Sequence, residues 1–81
     1  MELDLADLSS IKTFASNFQS KFEKLDVLIN NAGVYVPPDQ QMKTKDGFEV
    51  HFGVNHLGHF YLTNLLLTSI LKTEQSRLVF V

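Results

Sequence analysis

The sequence predicts an α/β fold built on a parallel sheet, in the order β-α-β-α-β. Three observations carry this reading. Apolar residues recur every three or four positions between Leu8 and Leu25, the spacing of an amphipathic helix. Residues 27–29 and 78–81 are short continuous apolar runs, as expected of parallel strands covered on both faces. A second helical pattern separates those two runs, so that strands alternate with helices.

Residues 2–5, "ELDL", alternate with Leu3 and Leu5 on one face, and a first strand is expected there. Asp7 or Ser9 then offers a side-chain oxygen to the free amides that open a helix. Leu8, Ile11, Phe14, Ala15, Phe18, Phe22 and Leu25 form its apolar stripe, with Lys12, Gln19, Lys21 and Glu23 off it. Val27, Leu28 and Ile29 begin the second strand, which closes in "NNAG". Pro37 and Pro38, followed by "DQQMKTKDG", make a loop, since neither proline continues a helix or a central strand.

Asp46 three residues before Glu49 resembles a capping box. A long helix should follow, burying Phe52, Val54, Leu57, Phe60, Tyr61, Leu65 and Ile70. Gly53 and Gly58 each weaken such a helix by about 1 kcal/mol relative to alanine. That cost implies a close approach of another segment. Arg77 leads "LVFV", the third strand.

With 81 residues, the chain is long enough for one small domain. Its 44% hydrophobic and 20% charged residues are an ordinary globular balance. A net charge of −2 without a basic cluster argues against a nucleic-acid partner. The absence of cysteine removes disulfides, thiolate catalysis and zinc–thiolate sites. "MELDLAD" lacks a basic-then-apolar leader pattern, and no apolar run approaches a membrane span. Localisation and membrane attachment are left open.

In open α/β sheets, ligands bind at the carboxyl ends of the strands, and "NNAG" sits at such an end. Gly33 lacks a Cβ and Ala32 has only a methyl, so a flat nucleoside could approach the backbone there. A plain turn would also suit Asn and Gly. Asp4 closes the first strand in the same way; it could accept from an exocyclic amine such as that of adenine, or cap a helix. In "VNHLGHF", Asn55 lies inside a helix where its amide competes for backbone bonds, which could distort the helix and free a carbonyl. His56 and His59 are three residues apart and could share a face. No acidic or cysteine partner stands at matching spacing, so packing or surface roles are expected and no metal site.

Together, "LDL", "NNAG" and "VNHLGHF", in that order, resemble the classical short-chain dehydrogenase/reductase family. "GFEVHFGVNHLGHFYLTNLLL" is similar to its retinol-dehydrogenase-like branch. The resemblance covers essentially the whole chain. It implies that residues 1–81 are the central fragment of an NAD(P)-binding Rossmann domain, a partial doubly wound parallel sheet lacking its first two strands and its C-terminal part. It implies hydride transfer between NAD or NADP and an alcohol or carbonyl, a retinoid or other lipophilic molecule being one such substrate. By the same resemblance Asp4 would contact the adenine amine and Leu5 its surroundings. Asn30, Ala32 and Gly33 would line the adenosine ribose, and Asn31 would brace the sheet. Asn55 matches the family's catalytic-scaffold asparagine, whose helix distortion holds a water extending a proton relay to a lysine.

Two family features do not occur in these residues. No glycine-rich turn cradles a pyrophosphate, and no Tyr-x-x-x-Lys is present, since Asp39 and Leu65 stand four residues after Tyr35 and Tyr61. The 81 residues alone are therefore expected to be inactive. In the strand order 3-2-1-4-5, residues 2–5 and 27–30 would be strands three and four, about 14 Å apart at the usual strand spacing. Only the second and third strand segments should pair. The other reading left open is a non-catalytic interaction module that binds full-length relatives through the helix carrying Asn55.

Overall fold

The computed structural model describes residues 1–81. Its elements are α1 (Leu8–Lys21), β1 (Val27–Asn30), α2 (Val50–Phe52), a π-helical turn (Gly53–Gly58), α3 (His59–Leu71) and β2 (Arg77–Phe80). α2, the π-turn and α3 are one continuous rod, because Phe52, Gly53, Gly58 and His59 all keep right-handed helical backbone angles.

β1 and β2 pair in parallel, Val27 with Arg77 through Asn30 with Phe80. This is the predicted strand pair, joined by a helical crossover. The pairing extends at both ends, Arg77 N–H donating to Asp26 O (2.8 Å) and Val81 N–H to Asn30 O (3.0 Å). The core lies on the helical side of the sheet, where Ile11 and Ala15 of α1 meet Leu62 and Leu66 of α3. Leu28 packs against that cluster. The opposite sheet face is uncovered, with Val27 50% and Ile29 58% exposed, so the strands are covered on one face and not on both.

Asp7 caps α1 by accepting from Ser9 N–H (3.0 Å) and the Ser9 hydroxyl (2.8 Å). These bonds, with help from Lys45, hold its carboxyl below the usual carboxylate range. The helix ends at Lys21, so Phe22 and Leu25 lie beyond it. Phe22 still touches Phe18, their ring centroids 5.1 Å apart.

Three expectations are corrected. Residues 2–5 form no strand; Asp4 N–H donates instead to Ser10 Oγ, and Asp4 Oδ1 accepts from Ala6 N–H (both 2.9 Å). Asp46 does not cap the long helix. Its Oδ2 accepts from Leu8 N–H at 2.8 Å, adding a second cap to α1 from across the fold. Glu49 is the N-cap of α2, accepting from His51 N–H and Phe52 N–H, and those amides hold its carboxyl below the usual range.

The third correction concerns the long helix. Phe52 and Phe60 are exposed, 49% and 57%. The buried line is Val50, Val54, Gly58, Leu62, Leu66 and Ile70, one residue in every four. A regular α-helix gains about 40° on each such step, because four residues exceed one turn of 3.6. The wider π-turn gives back most of one residue's rotation, so the line stays facing the core. The glycines sit where the rod meets its neighbours. A Cβ on Gly58 would lie 2.7 Å from Leu5 O, and one on Gly53 would collide with the Thr44 methyl. No helix is long and apolar enough to cross a membrane.

Candidate functional site

β1 delivers "NNAG" to the mouth of a cleft of about 560 Å³, within the usual size of small-molecule sites. One wall is the segment Asn30–Gly33. The other is the helix face bearing Asn55, His56, His59, Phe60, Thr63 and Asn64, with Phe80 and Val81 at the end of β2 closing the side. The lining holds amides, imidazoles, a hydroxyl and aromatic rings, and no lysine, arginine or carboxylate side chain.

Asn30 is 4% exposed, and its amide has a side-chain neighbour at each end. Nδ2 donates to Thr63 Oγ1 (3.1 Å), and Oδ1 lies 3.1 Å from His59 Nδ1. His59 Nε2 reaches the Ala32 carbonyl oxygen at 2.7 Å. Asn31, expected to brace the sheet, is exposed and makes no side-chain hydrogen bond; Asn30 does the bracing, because its side chain is the one turned toward the helix. Asn55 lies within the π-turn, as its poor fit to a regular helix suggested. Its Oδ1 accepts from Val34 N–H (2.9 Å) and its Nδ2 donates to Val34 O (3.0 Å). A Cβ on Gly33 would sit 3.5 Å from Asn55 Oδ1. Gly33 is thus where the two motifs meet.

Asn30, Ala32, Gly33 and Asn55 line the one cleft. Asp4 and Leu5 are not among its lining residues; Leu5 packs against the core cluster and its carbonyl rests against Gly58. His59 and Thr63 were missed as site residues. Their signal in the sequence is the four-residue repeat His51, Asn55, His59, Thr63. His56 makes no side-chain hydrogen bond; its ring stands in a column with Phe52 and Phe60 at 5.5 and 6.2 Å. The lining suits the neutral, planar parts of a dinucleotide, which stack and hydrogen-bond; it offers its pyrophosphate no cation. Neither Tyr35 nor Tyr61 lines the cleft.

The short-chain dehydrogenase family model matches residues 1–81. Human retinol dehydrogenase 14 is 55% identical over 80 residues, covering 99% of this chain and 23% of that protein. The zebrafish (Danio rerio) polyprenol dehydrogenase is 53% identical over 73 residues, covering 90% of this chain and 22% of its own length. The chain thus spans about a quarter of the curated relatives it matches. An uncharacterized protein from Mycobacterium paratuberculosis, 54% identical, superposes with a TM-score of 0.71 over 85% of this chain and 24% of that one. The NADP complex of Pseudomonas aeruginosa RhlG, 17% identical, shares the fold at a TM-score of 0.75 over 99% of this chain and 33% of its own. With one parallel strand pair, its helical crossover and a full-length family match, this chain belongs to the short-chain dehydrogenase family and carries a retinol-dehydrogenase-like part of its Rossmann fold.

Proposed function

We propose that residues 1–81 supply the central part of an NAD(P)-dependent oxidoreductase that interconverts an alcohol and a carbonyl, with a retinoid or another lipophilic molecule as substrate. The observation that carries this reading is the meeting of Asn30, Ala32 and Gly33 with Asn55 at one cleft. It is supported by 55% and 53% identity to a retinol and a polyprenol dehydrogenase. In this reading the backbone at Ala32 and Gly33 takes the adenosine side of NAD or NADP, and Asp4 and Leu5 belong to its adenine end. Asn55, in its π-turn, serves the proton relay. The dinucleotide, when bound, supplies or accepts the hydride.

These residues contain no acid/base tyrosine–lysine pair and no cation for the pyrophosphate, so the chain by itself should not turn over substrate. Calorimetry of the 81-residue chain with NAD or NADP should show no saturable heat at micromolar protein; a submicromolar Kd would overturn that part of the reading. In a complete dehydrogenase carrying these residues, Asn55→Leu should lower kcat strongly and leave cofactor affinity nearly unchanged. Asp4→Ala should weaken cofactor affinity about tenfold, the weight of one charge-assisted hydrogen bond, at nearly constant kcat. Normal turnover in Asn55→Leu would reduce the asparagine to a structural role.

A second reading, a non-catalytic module, rests on the exposed ring column Phe48, Phe52, His56 and Phe60 along the rod. Such a face suits a helix of a full-length relative. Co-purification with that relative, lost in Phe60→Glu, would favour it.

A further inference from the structure

The long helix and the segment after β1 are joined at regular intervals. Thr63 Oγ1 accepts from Asn30 Nδ2 (3.1 Å), and His59 Nε2–H donates to Ala32 O (2.7 Å). Asn55 exchanges two bonds with the backbone of Val34, and His51 Nε2 accepts from Val36 N–H at 3.1 Å. The helix positions 51, 55, 59 and 63 step by four; their partners 36, 34, 32 and 30 step by two in the opposite direction. Four helical residues rise about 6 Å and two extended residues about 6.6 Å, so the two repeats stay in step. The π-turn keeps them in phase around the helix as well. Three steps of four residues would rotate a regular helix about 120° away from the segment, and one extra residue in a turn restores about 100° of it.

We propose that His51 and His59 are positioning residues, forming with Asn55 and Thr63 a ladder that holds residues 30–36 in the shape that lines the cleft. That the cleft serves a dinucleotide rests on the reading above; the ladder does not. Its chemistry is fixed by its partners. Val36 N–H is a donor, so His51 Nε2 accepts and carries no proton. The ring's proton sits on Nδ1, 2.7 Å from Glu49 Oε2. Ala32 O is an acceptor, so His59 Nε2 carries a proton. The inner rungs, Asn30, His59 and Thr63, are buried, whereas Asn55 at the outer end is exposed. Protonation of His51 sets an N–H against the Val36 N–H and opens the outermost rung alone. The groups facing His51 are the Glu49 carboxylate, the Tyr35 ring (centroids 6.0 Å apart) and Lys43 across the same hollow.

The test is nuclear magnetic resonance on the 81-residue chain, with no nucleotide present. Long-range nitrogen–proton spectra at pH 8 should show His51 as the Nδ1–H tautomer, a measurement needing no variant. Val36 amide exchange should quicken about fivefold in His51→Phe, the weight of one net hydrogen bond, and return toward wild type in His51→Gln, whose amide oxygen can accept. His59→Phe should shift the Ala32 carbonyl carbon resonance, and His59→Gln should restore it. An Nε2–H tautomer at His51 or unchanged Val36 exchange in His51→Phe would each overturn the ladder. Failure of the oxidoreductase reading would appear separately, as normal turnover of Asn55→Leu in a complete enzyme.

Discussion

Residues 2–5 and 27–30 both carry a strand signal, the first an alternating pattern and the second a continuous apolar run, yet only the second is a strand. β1 has a partner, since the helical rod returns the chain so that β2 lies parallel beside it. Residues 2–5 have no strand beside them. Their backbone groups turn to what is near: Asp4 N–H donates to Ser10 Oγ, and Asp4 O accepts from Asp7 N–H. A strand is thus a property of a pair of segments, and a pattern in one segment states only half of it. Leu5 nevertheless keeps its apolar role by packing on the core and seating its carbonyl against Gly58.

That contrast can be broken most forcibly at the core both segments share. Leu66→Ala empties the α1–α3 contact where the side chain is only 2% exposed, and should cost about 2–5 kcal/mol. With a core cluster of Ile11, Ala15, Leu62 and Leu66 alone, such a loss should abolish the helical circular dichroism signal at 25 °C. Retention of that signal would mean that β1 and the rod hold together without α1.

Gly58→Ala sharpens the comparison. Its Cβ would meet Leu5 O, a backbone atom that cannot swing away, so residues 2–5 must move. Overpacking costs about 1–3 kcal/mol, against a gain of about 1 kcal/mol in helix propensity. A lower urea midpoint is expected, with amide shifts concentrated in residues 3–7 while β1 and β2 keep theirs. A raised midpoint would show that the contact with Leu5 is not tight.

The smallest effect is expected from acid, through the caps. Asp7 and Glu49 have their carboxyls held below their ordinary values of 3.8 and 4.5. A depressed folded value means the stabilisation is fully present above the unfolded value and lost as pH falls through the folded one. Helix content should therefore hold down to about pH 4.5 and decline below about pH 4. The Asp7→Asn and Glu49→Gln double variant should lose part of that decline. An identical acid profile in the variant would assign the loss to other groups.

The sequence alone carried much of this. The apolar stripe from Leu8 to Phe18 sufficed for α1, because a three-to-four spacing of large apolar groups has one way to be buried. The runs ending at Ile29 and beginning at Leu78 sufficed for the strand pair, and "NNAG" with Asn55 pointed to the cleft. Asn55 also signalled the helix distortion, since its amide does better bonded to Val34 than to its own helix. Tertiary structure decided the rest. Whether residues 2–5 pair depends on a neighbour that no local pattern encodes. Asp46 caps α1 rather than the helix next to it in sequence because folding places Leu8 N–H closer. Which side of the rod faces inward depends on where its one π-turn falls. Phe52 and Phe60, apolar residues expected inside, are exposed, whereas His59, Leu62 and Thr63 are buried. A local pattern fixes the rotation of a helix only while its pitch is regular, and contact with the core decides where the pitch changes.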